Sequence, residues 1–382
     1  MLPPDSLFRT YLQAWEFTEP PREWVLFAGM SALGAALGRR VWFTHGHRRV
    51  FPMFNTVLIG ESGLGKSTAI GLGKLLLQSL PINRRPQILG ATTPERLHKD
   101  LSINPHAWLL APELAAFFGR QKYMEGMIPY VTHLLDYEEQ VERRTLAGDV
   151  VTIREPACSI MGGSTVDWLQ GALPDTAVSG GFLARFLVSK AEHKYRKIAL
   201  PEDAGTPAEQ ADCERQKGLL GPVFTEAVLA YAGPIGMSNQ EARNEYAYWY
   251  TEYQPASGFL APFAARAGEF VLRLAMLSAI ARQVPGIGVE DVQAGVALYE
   301  VAQRGLQDVV VPLTPQGKLV AGVLRAVGQT VRDESDIKHS LRNMANATEV
   351  ARTLQSLLES RDLERAPGGY RRVAKRKDVT YE

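Results

Sequence analysis

The chain has 382 residues, 46% apolar and 22% charged, and a formal net charge of +1 at pH 7. That balance marks an ordinary soluble globular protein of two or three domains and gives no global attraction to nucleic acid or membrane, so any basic surface must be local. Cys158 and Cys213 form no disulfide framework or metal-ligand spacing, and the apolar run over residues 25–38 is too short and glycine-rich to span a bilayer; a cytoplasmic protein is expected.

From about residue 5 to 40, Phe8, Leu12, Trp15, Trp24, Leu26, Phe27, Met30 and Leu33 recur at helical spacing, and Pro20-Pro21 breaks the run into two helices. Their stripe reads as a packing face on the next domain. From about 41 to 200 strands alternate with helices, the sign of a parallel sheet covered on both faces. A polar stretch over 201–216 leads into a mostly helical region to about 310, and Pro312 and Pro315 mark a further boundary. The expected division is a helical segment over 1–50, a P-loop domain over 51–200, a helical lid over 201–311 and a C-terminal domain over 312–382.

The most informative motif is Gly60-Glu61-Ser62-Gly63-Leu64-Gly65-Lys66-Ser67, which reads G-x-x-x-x-G-K-S. An apolar strand at Thr56-Val57-Leu58-Ile59 precedes it, and Thr68-Ala69-Ile70 leads into a helix. Glycines let successive backbone N–H groups turn around phosphate oxygens, and the helix dipole adds positive potential. Lys66 is expected at the β- and γ-phosphates of ATP, and the Ser67 hydroxyl on Mg²⁺.

Hydrolysis needs further parts. A strand over Ala107-Trp108-Leu109-Leu110-Ala111 ends at Pro112-Glu113, where Glu113 is placed to activate a water as general base, or simply to start a helix after a proline. A second buried strand, Ala157-Cys158-Ser159-Ile160-Met161, runs into Gly162-Gly163-Ser164-Thr165; Ser164 or Thr165 is either a polar sensor between nucleotide and water or the N-cap of the next helix. Arg185, within Gly181-Phe182-Leu183-Ala184-Arg185-Phe186, stands among apolar residues at a strand entry, where a lone arginine often simply pairs with a carboxylate.

This order of motifs resembles the AAA+ ATPases, especially the clade containing the minichromosome-maintenance helicases. Ala184-Arg185-Phe186-Leu187 resembles that family's S-R-F-D arginine-finger motif, and Arg266-Ala267-Gly268-Glu269-Phe270-Val271-Leu272-Arg273-Leu274 matches its sensor 2 pattern R-x-x-E-x-x-x-R-L. By itself the latter segment reads as an amphipathic helix with its arginines at the surface. Over roughly residues 5–300 the chain also resembles phage and prophage replication ATPases, through Phe51-Pro52-Met53-Phe54-Asn55, Glu113-Leu114-Ala115-Ala116-Phe117-Phe118-Gly119 and Gly163-Ser164-Thr165-Val166-Asp167-Trp168-Leu169. The cytoplasm would be that of a bacterial host cell if the chain is phage-encoded. The chain departs from the family at Pro112, where an aspartate usually helps hold Mg²⁺, and at Leu187, where the finger motif carries an acid.

The resemblance implies an AAA+ core with a helical lid, ATP between subunits of a ring, hexameric in the family's manner, and Arg185 supplied to the neighbour's γ-phosphate with Arg266 from the lid. It also implies that a hairpin around Ala147-Gly148-Asp149 lines the ring channel, with Arg143, Arg144 and Arg154 on DNA phosphates; equally, these arginines pair with Glu138, Glu139 and Glu142. Near the C-terminus, helices at about 316–327, 334–341 and 348–359 precede strands flanking the turn Pro367-Gly368-Gly369, the pattern of a winged helix. Arg361, Arg365, Arg371, Arg372, Lys375, Arg376 and Lys377 concentrate there, suiting DNA backbone contact or protein docking. The expectation is an α/β, ring-forming ATPase that translocates on DNA as a phage-type replicative helicase, with a primase or other replication protein as a further partner. The rival is a nucleotide-switched DNA-binding or helicase-loader ATPase, and a small-molecule P-loop kinase stands third.

Overall fold

The computed structural model describes residues 6–114, 118, 126–144, 150–174, 177, 181–256, 260–328, 330–360 and 362–373. The chain divides into two compact units, residues 1–309 and 310–382. In chain order the strands of the first unit are β1 (Val41–His45), β2 (Arg48–Val50), β3 (Asn55–Ile59), β4 (Gln87–Leu89), β5 (His106–Ala111), β6 (Gln140–Arg144), β7 (Val150–Arg154), β8 (Ala157–Ser164), β9 (Phe186–Lys190) and β10 (Gly233–Pro234).

Five of these form one all-parallel sheet in the order β4-β5-β8-β3-β9. Parallel neighbours require crossovers, supplied here by the helices Lys66–Leu76 after β3, Pro94–Ile103 after β4 and Val166–Ala172 after β8. A sheet covered on both faces has continuously apolar strands. Accordingly every residue of β3 and β8 is buried, and each large apolar side chain such as Leu58 or Ile160 contributes roughly 1.5–3 kcal/mol through burial. Asn55, Thr56, Ser159 and Ser164 are polar exceptions in these strands, and the Asn55 amide is satisfied: Nδ2 donates to the Arg185 carbonyl at 3.0 Å, and Oδ1 accepts from the Ile160 N–H at 2.9 Å. One amide thus ties the starts of β9 and β3 to the middle of β8.

The N-terminal segment forms the helices Leu7–Ala14 and Arg22–Leu37, separated at Pro20-Pro21. The second is buried on all sides rather than along one stripe, and no helix of the described residues is long and apolar enough to cross a membrane. Trp24 and Trp108 are fully buried with their indole N–H groups satisfied, by the Ser189 carbonyl at 3.1 Å and the Ser31 hydroxyl at 3.1 Å. These helices share one hydrophobic core with β3, with Pro207–Leu229 and with the packed pair Ala267–Ala281 and Val289–Gln303. The N-terminal segment, the sheet and the helices after residue 201 are therefore one compact unit.

The second unit contains the helices Pro315–Val327, Glu334–Ser340 and Ala347–Glu359, then the antiparallel pair β11 (Leu363–Ala366) and β12 (Gly369–Arg372). A core of Leu319, Val323, Ile337, Val350, Leu354 and Tyr370 holds them together. Thr314 and Asn346 cap the first and third helices, each accepting from the backbone of the first turn.

Candidate functional site

The residues of the G-x-x-x-x-G-K-S motif lie at the edge where β3, β5 and β8 end. β3 stops at Ile59, the loop comes next, and Lys66 opens the helix Lys66–Leu76. Gly63 and Gly65 both hold φ +88°, a left-handed conformation that side chains rarely adopt. A loop turned this way onto a helix N-terminus presents successive backbone N–H groups to one spot, the arrangement that gathers around an anion. Ser67 and Thr68 are in the first turn, both exposed. Lys66 is half-buried, and its ammonium donates to the carbonyls of Gly60 at 2.6 Å and Glu61 at 2.9 Å. Burial pushes its pKa below the ordinary lysine value, while the charges of Glu113 and Glu61 pull it back.

That electrostatic coupling brings Glu113, exposed and just beyond the end of β5, to the same edge. β8 lies between β5 and β3 and ends at Ser164, which is fully buried; its hydroxyl donates to the Thr165 carbonyl at 3.1 Å. The Gly60 N–H in turn donates to the Ser164 carbonyl at 3.2 Å. Helix capping falls to Thr165, whose hydroxyl accepts from the Trp168 N–H at 3.2 Å. Gly163 has a role that its motif alone did not reveal. A Cβ there would lie 2.9 Å from the Pro112 carbonyl oxygen and 3.2 Å from Lys66 Cδ. The absence of a side chain at 163 therefore lets the lysine and the Pro112-Glu113 turn close on the end of β8. Among the described residues no group of three or more His, Cys, Asp or Glu side chains could hold a metal ion.

Arg185 and Arg266 are not at this edge. Arg185 immediately precedes β9, its carbonyl bonded to Asn55 at the start of β3. The length of β3 puts its backbone about 13 Å from the start of the loop, at 3.3 Å per residue. Its guanidinium is largely buried and grips Asp136 with both ends of the fork, Nη2 to Oδ1 at 2.7 Å and to Oδ2 at 2.9 Å, and Nε to Oδ1 at 3.0 Å. Arg266, the residue before helix Ala267–Ala281, lines the same polar cleft of 1120 Å³. Burial and the Arg185 charge push its pKa down, opposed by Glu269 and Asp136.

Arg273, two turns into that helix, is buried rather than at the surface. It pairs with Glu269, donates to the Met53 carbonyl at 2.6 Å and stacks 5.3 Å above the Tyr137 ring. The Arg273 charge holds the Glu269 carboxyl below its ordinary value against burial. The segment expected to act as sensor 2 thus places Arg273 in the interior, paired with the half-buried Glu269, and leaves Arg266 and Glu269 lining the cleft.

The arginines assigned to nucleic acid are in different circumstances. β6 and β7 pair antiparallel, Gln140 opposite Arg154 and Arg144 opposite Val150, while the expected hairpin tip over 145–149 lies outside the described residues, as does the Arg144 side chain. Arg143 pairs with Glu95 on helix Pro94–Ile103, a partner far away in sequence, and lies 5.7 Å over the Tyr130 ring. Arg154 is exposed at the base of the hairpin, where the pairing begins. In the C-terminal unit Arg371 bonds Glu364 across the strand pair through Nε at 2.8 Å, and Arg372 is exposed. Arg361, Lys375, Arg376 and Lys377 lie outside the described residues.

The sequence reading missed Asp136 and Gly163. The first carries no local signal, because its partner is 49 positions away; the second was legible only as part of a strand end. No protein-family model matches this chain, and no curated protein matches it.

Proposed function

We propose that this chain is an ATPase of the AAA+ kind, working as a ring on DNA in the manner of a phage-type replicative helicase. The observation that carries the reading is the division of charged groups between opposite edges of one sheet. Lys66, Ser67, Glu113 and Ser164 gather where β3, β5 and β8 end, and Arg185 and Arg266 where β3 and β9 begin. Guanidiniums that cannot reach their own phosphate loop can reach that of a second copy, so an active site built from both edges requires an oligomer.

In this reading the loop amides and Lys66 bind the phosphates, and Lys66 exchanges its bonds to the Gly60 and Glu61 carbonyls for phosphate oxygens. Mg²⁺ would be held by Ser67 with phosphate oxygens and water, a set that suits an ion which keeps most of its waters, and would neutralise charge on the transferred group. Glu113 takes the proton of the attacking water, oriented with help from the Ser164 hydroxyl. Arg185 and Arg266 of the adjacent copy stabilise the charge that develops on the γ-phosphoryl group. The three helices and strand pair over 310–382 support a winged-helix reading, with Arg371 and Arg372 toward DNA. A cytoplasmic location belongs to the same proposal.

Pro112, in place of a second acid beside Glu113, favours one alternative: a nucleotide-switched DNA-binding or loader ATPase with slow turnover. Steady-state ATP hydrolysis measured with and without single-stranded DNA separates the two. Several-fold stimulation by DNA together with ATP-dependent assembly in sedimentation supports the motor. Slow, unstimulated turnover with ATP-locked assembly supports the switch, and no hydrolysis combined with a monomer at all ATP concentrations overturns both.

A further inference from the structure

A second concave surface lies where the sheet strands begin. It is a cavity of 310 Å³ lined by Arg39, Arg40, Arg49, Arg84 and Arg154 with Glu155 as its one lining carboxylate. Pro105 and Ala157, at the starts of β5 and β8, form part of its wall. The length of β8 separates it from the phosphate loop by about 23 Å, at 3.3 Å per residue.

The charges here are unbalanced. Among the described residues none of the five arginines makes an ion pair, and Arg49, Arg84 and Arg154 are exposed without a side-chain hydrogen bond. Arg39 and Arg40 are fixed instead through backbone carbonyls: Arg39 donates to Tyr137 at 3.1 Å and Glu138 at 2.9 Å, and Arg40 to Ala36 at 3.1 Å and Val228 at 3.4 Å. Aromatic rings support the guanidinium planes, Phe51 at 4.7 Å from Arg39 and Trp42 at 4.6 Å from Arg49. Burial is the main cause that lowers the pKa of Arg39 and Arg40; the charges of Glu155 and Glu139 oppose it at Arg39, where Arg49 lowers it further, and Arg84 adds to burial at Arg40, so like charges are crowded here. Such crowding costs stability, and bound phosphates would relieve it.

Arg39, Arg49 and Phe51 stand between this cavity and the larger cleft that holds Arg185 and Arg266, lining both. A concave basic surface with rings beneath its guanidiniums suits a flexible strand, whose phosphates can follow the arginines. A duplex, being convex, would meet only the rim. We infer that Arg39, Arg40, Arg49, Arg84 and Arg154 form a binding site for the phosphate backbone of single-stranded nucleic acid, distinct from the ATP site. The inference rests on the nucleic-acid partner of the function proposed above and is independent of its ATP chemistry.

The test is fluorescence anisotropy of a labelled oligothymidylate with the full chain, titrated across a salt series. Wild type is compared with the double variant Arg84→Ala/Arg154→Ala, whose two side chains are exposed and unpaired, so the fold should be unaffected. The pair should weaken binding by about tenfold and reduce the magnitude of the log–log salt slope by about 1.4, two phosphates at about 0.7 each. Binding of a fluorescent ATP analogue should be unchanged. Arg84→Lys/Arg154→Lys should recover most of the slope, since a charge at each position suffices for counterion release. Wild-type oligonucleotide affinity and slope in the alanine pair would overturn the inference, as would a wild-type chain that binds no oligonucleotide; in either case ATP hydrolysis could still be intact, and the ATPase reading would stand. Conversely, a chain without ATPase activity whose oligonucleotide binding falls in the variant would retain this site and lose the motor.

Discussion

Replacing Arg185 by alanine tests the division of the active site between two copies. The arginine begins about 13 Å from the loop of its own chain and is directed to Asp136, so within one chain it has no route to the phosphates. If it acts on the neighbour, its loss should lower kcat by roughly 10³-fold or more, as expected for an arginine that stabilises phosphoryl-transfer charge. Nucleotide affinity at an isolated loop should change little, because Lys66 and the loop amides are untouched. Lys66→Ala should be inactive for the opposite reason. Mixing the two inactive variants in equal amounts creates competent interfaces wherever the intact loop of an Arg185→Ala chain meets the intact arginine of a Lys66→Ala chain. Random assembly produces that combination at about one interface in four, so up to about a quarter of wild-type activity should return. The assay is coupled ATP hydrolysis as a function of mixing ratio, with a maximum near equal amounts. Wild-type turnover by Arg185→Ala alone, or a mixture no more active than its components, would refute the reasoning.

Asp136→Asn frees Arg185 from its bidentate partner; because Asp136 is 40% exposed the pair is worth at most about 1 kcal/mol, so the protein concentration for half-maximal ATP-driven assembly should fall by up to about fivefold in sedimentation. Gly163→Val should lower nucleotide affinity by about tenfold or more in a fluorescent-nucleotide titration, since its side chain would displace either the Pro112 carbonyl or Lys66; unchanged affinity would show that the end of β8 can shift without cost. Glu269→Gln should destabilise the chain in urea at pH 7 by about 2 kcal/mol, below the roughly 3–5 typical of a fully buried pair because Glu269 is 37% exposed. The Glu269 carboxyl is held below its ordinary value, so its contribution is complete above the unfolded value and disappears as pH falls through the lowered folded one. The difference in stability between wild type and Glu269→Gln should therefore shrink on acidification below about pH 4.5, and a constant difference would contradict the pairing.

Sequence alone determined what depends on neighbours along the chain. The apolar run before Gly60 forms a strand because all its side chains can be buried, and Gly63 and Gly65 permit the left-handed turn onto the helix that begins at Lys66. The strand carrying Glu113, the alternation that makes a parallel sheet, the break at Pro20-Pro21 and the three C-terminal helices were legible for the same reason. Tertiary structure alone decided which charges meet. That Arg185 grips Asp136, that Arg143 pairs with Glu95 and that Arg273 is buried with its guanidinium on the Met53 carbonyl is set by strand order and helix packing. Arg154 reads in sequence as one of three hairpin arginines, and the fold instead gathers it with Arg39, Arg40, Arg49 and Arg84 from segments scattered over more than a hundred positions. The physical reason is range: a turn or a cap is set by backbone geometry over a few residues, whereas the partner of a guanidinium is set by where the sheet brings distant segments to a common edge.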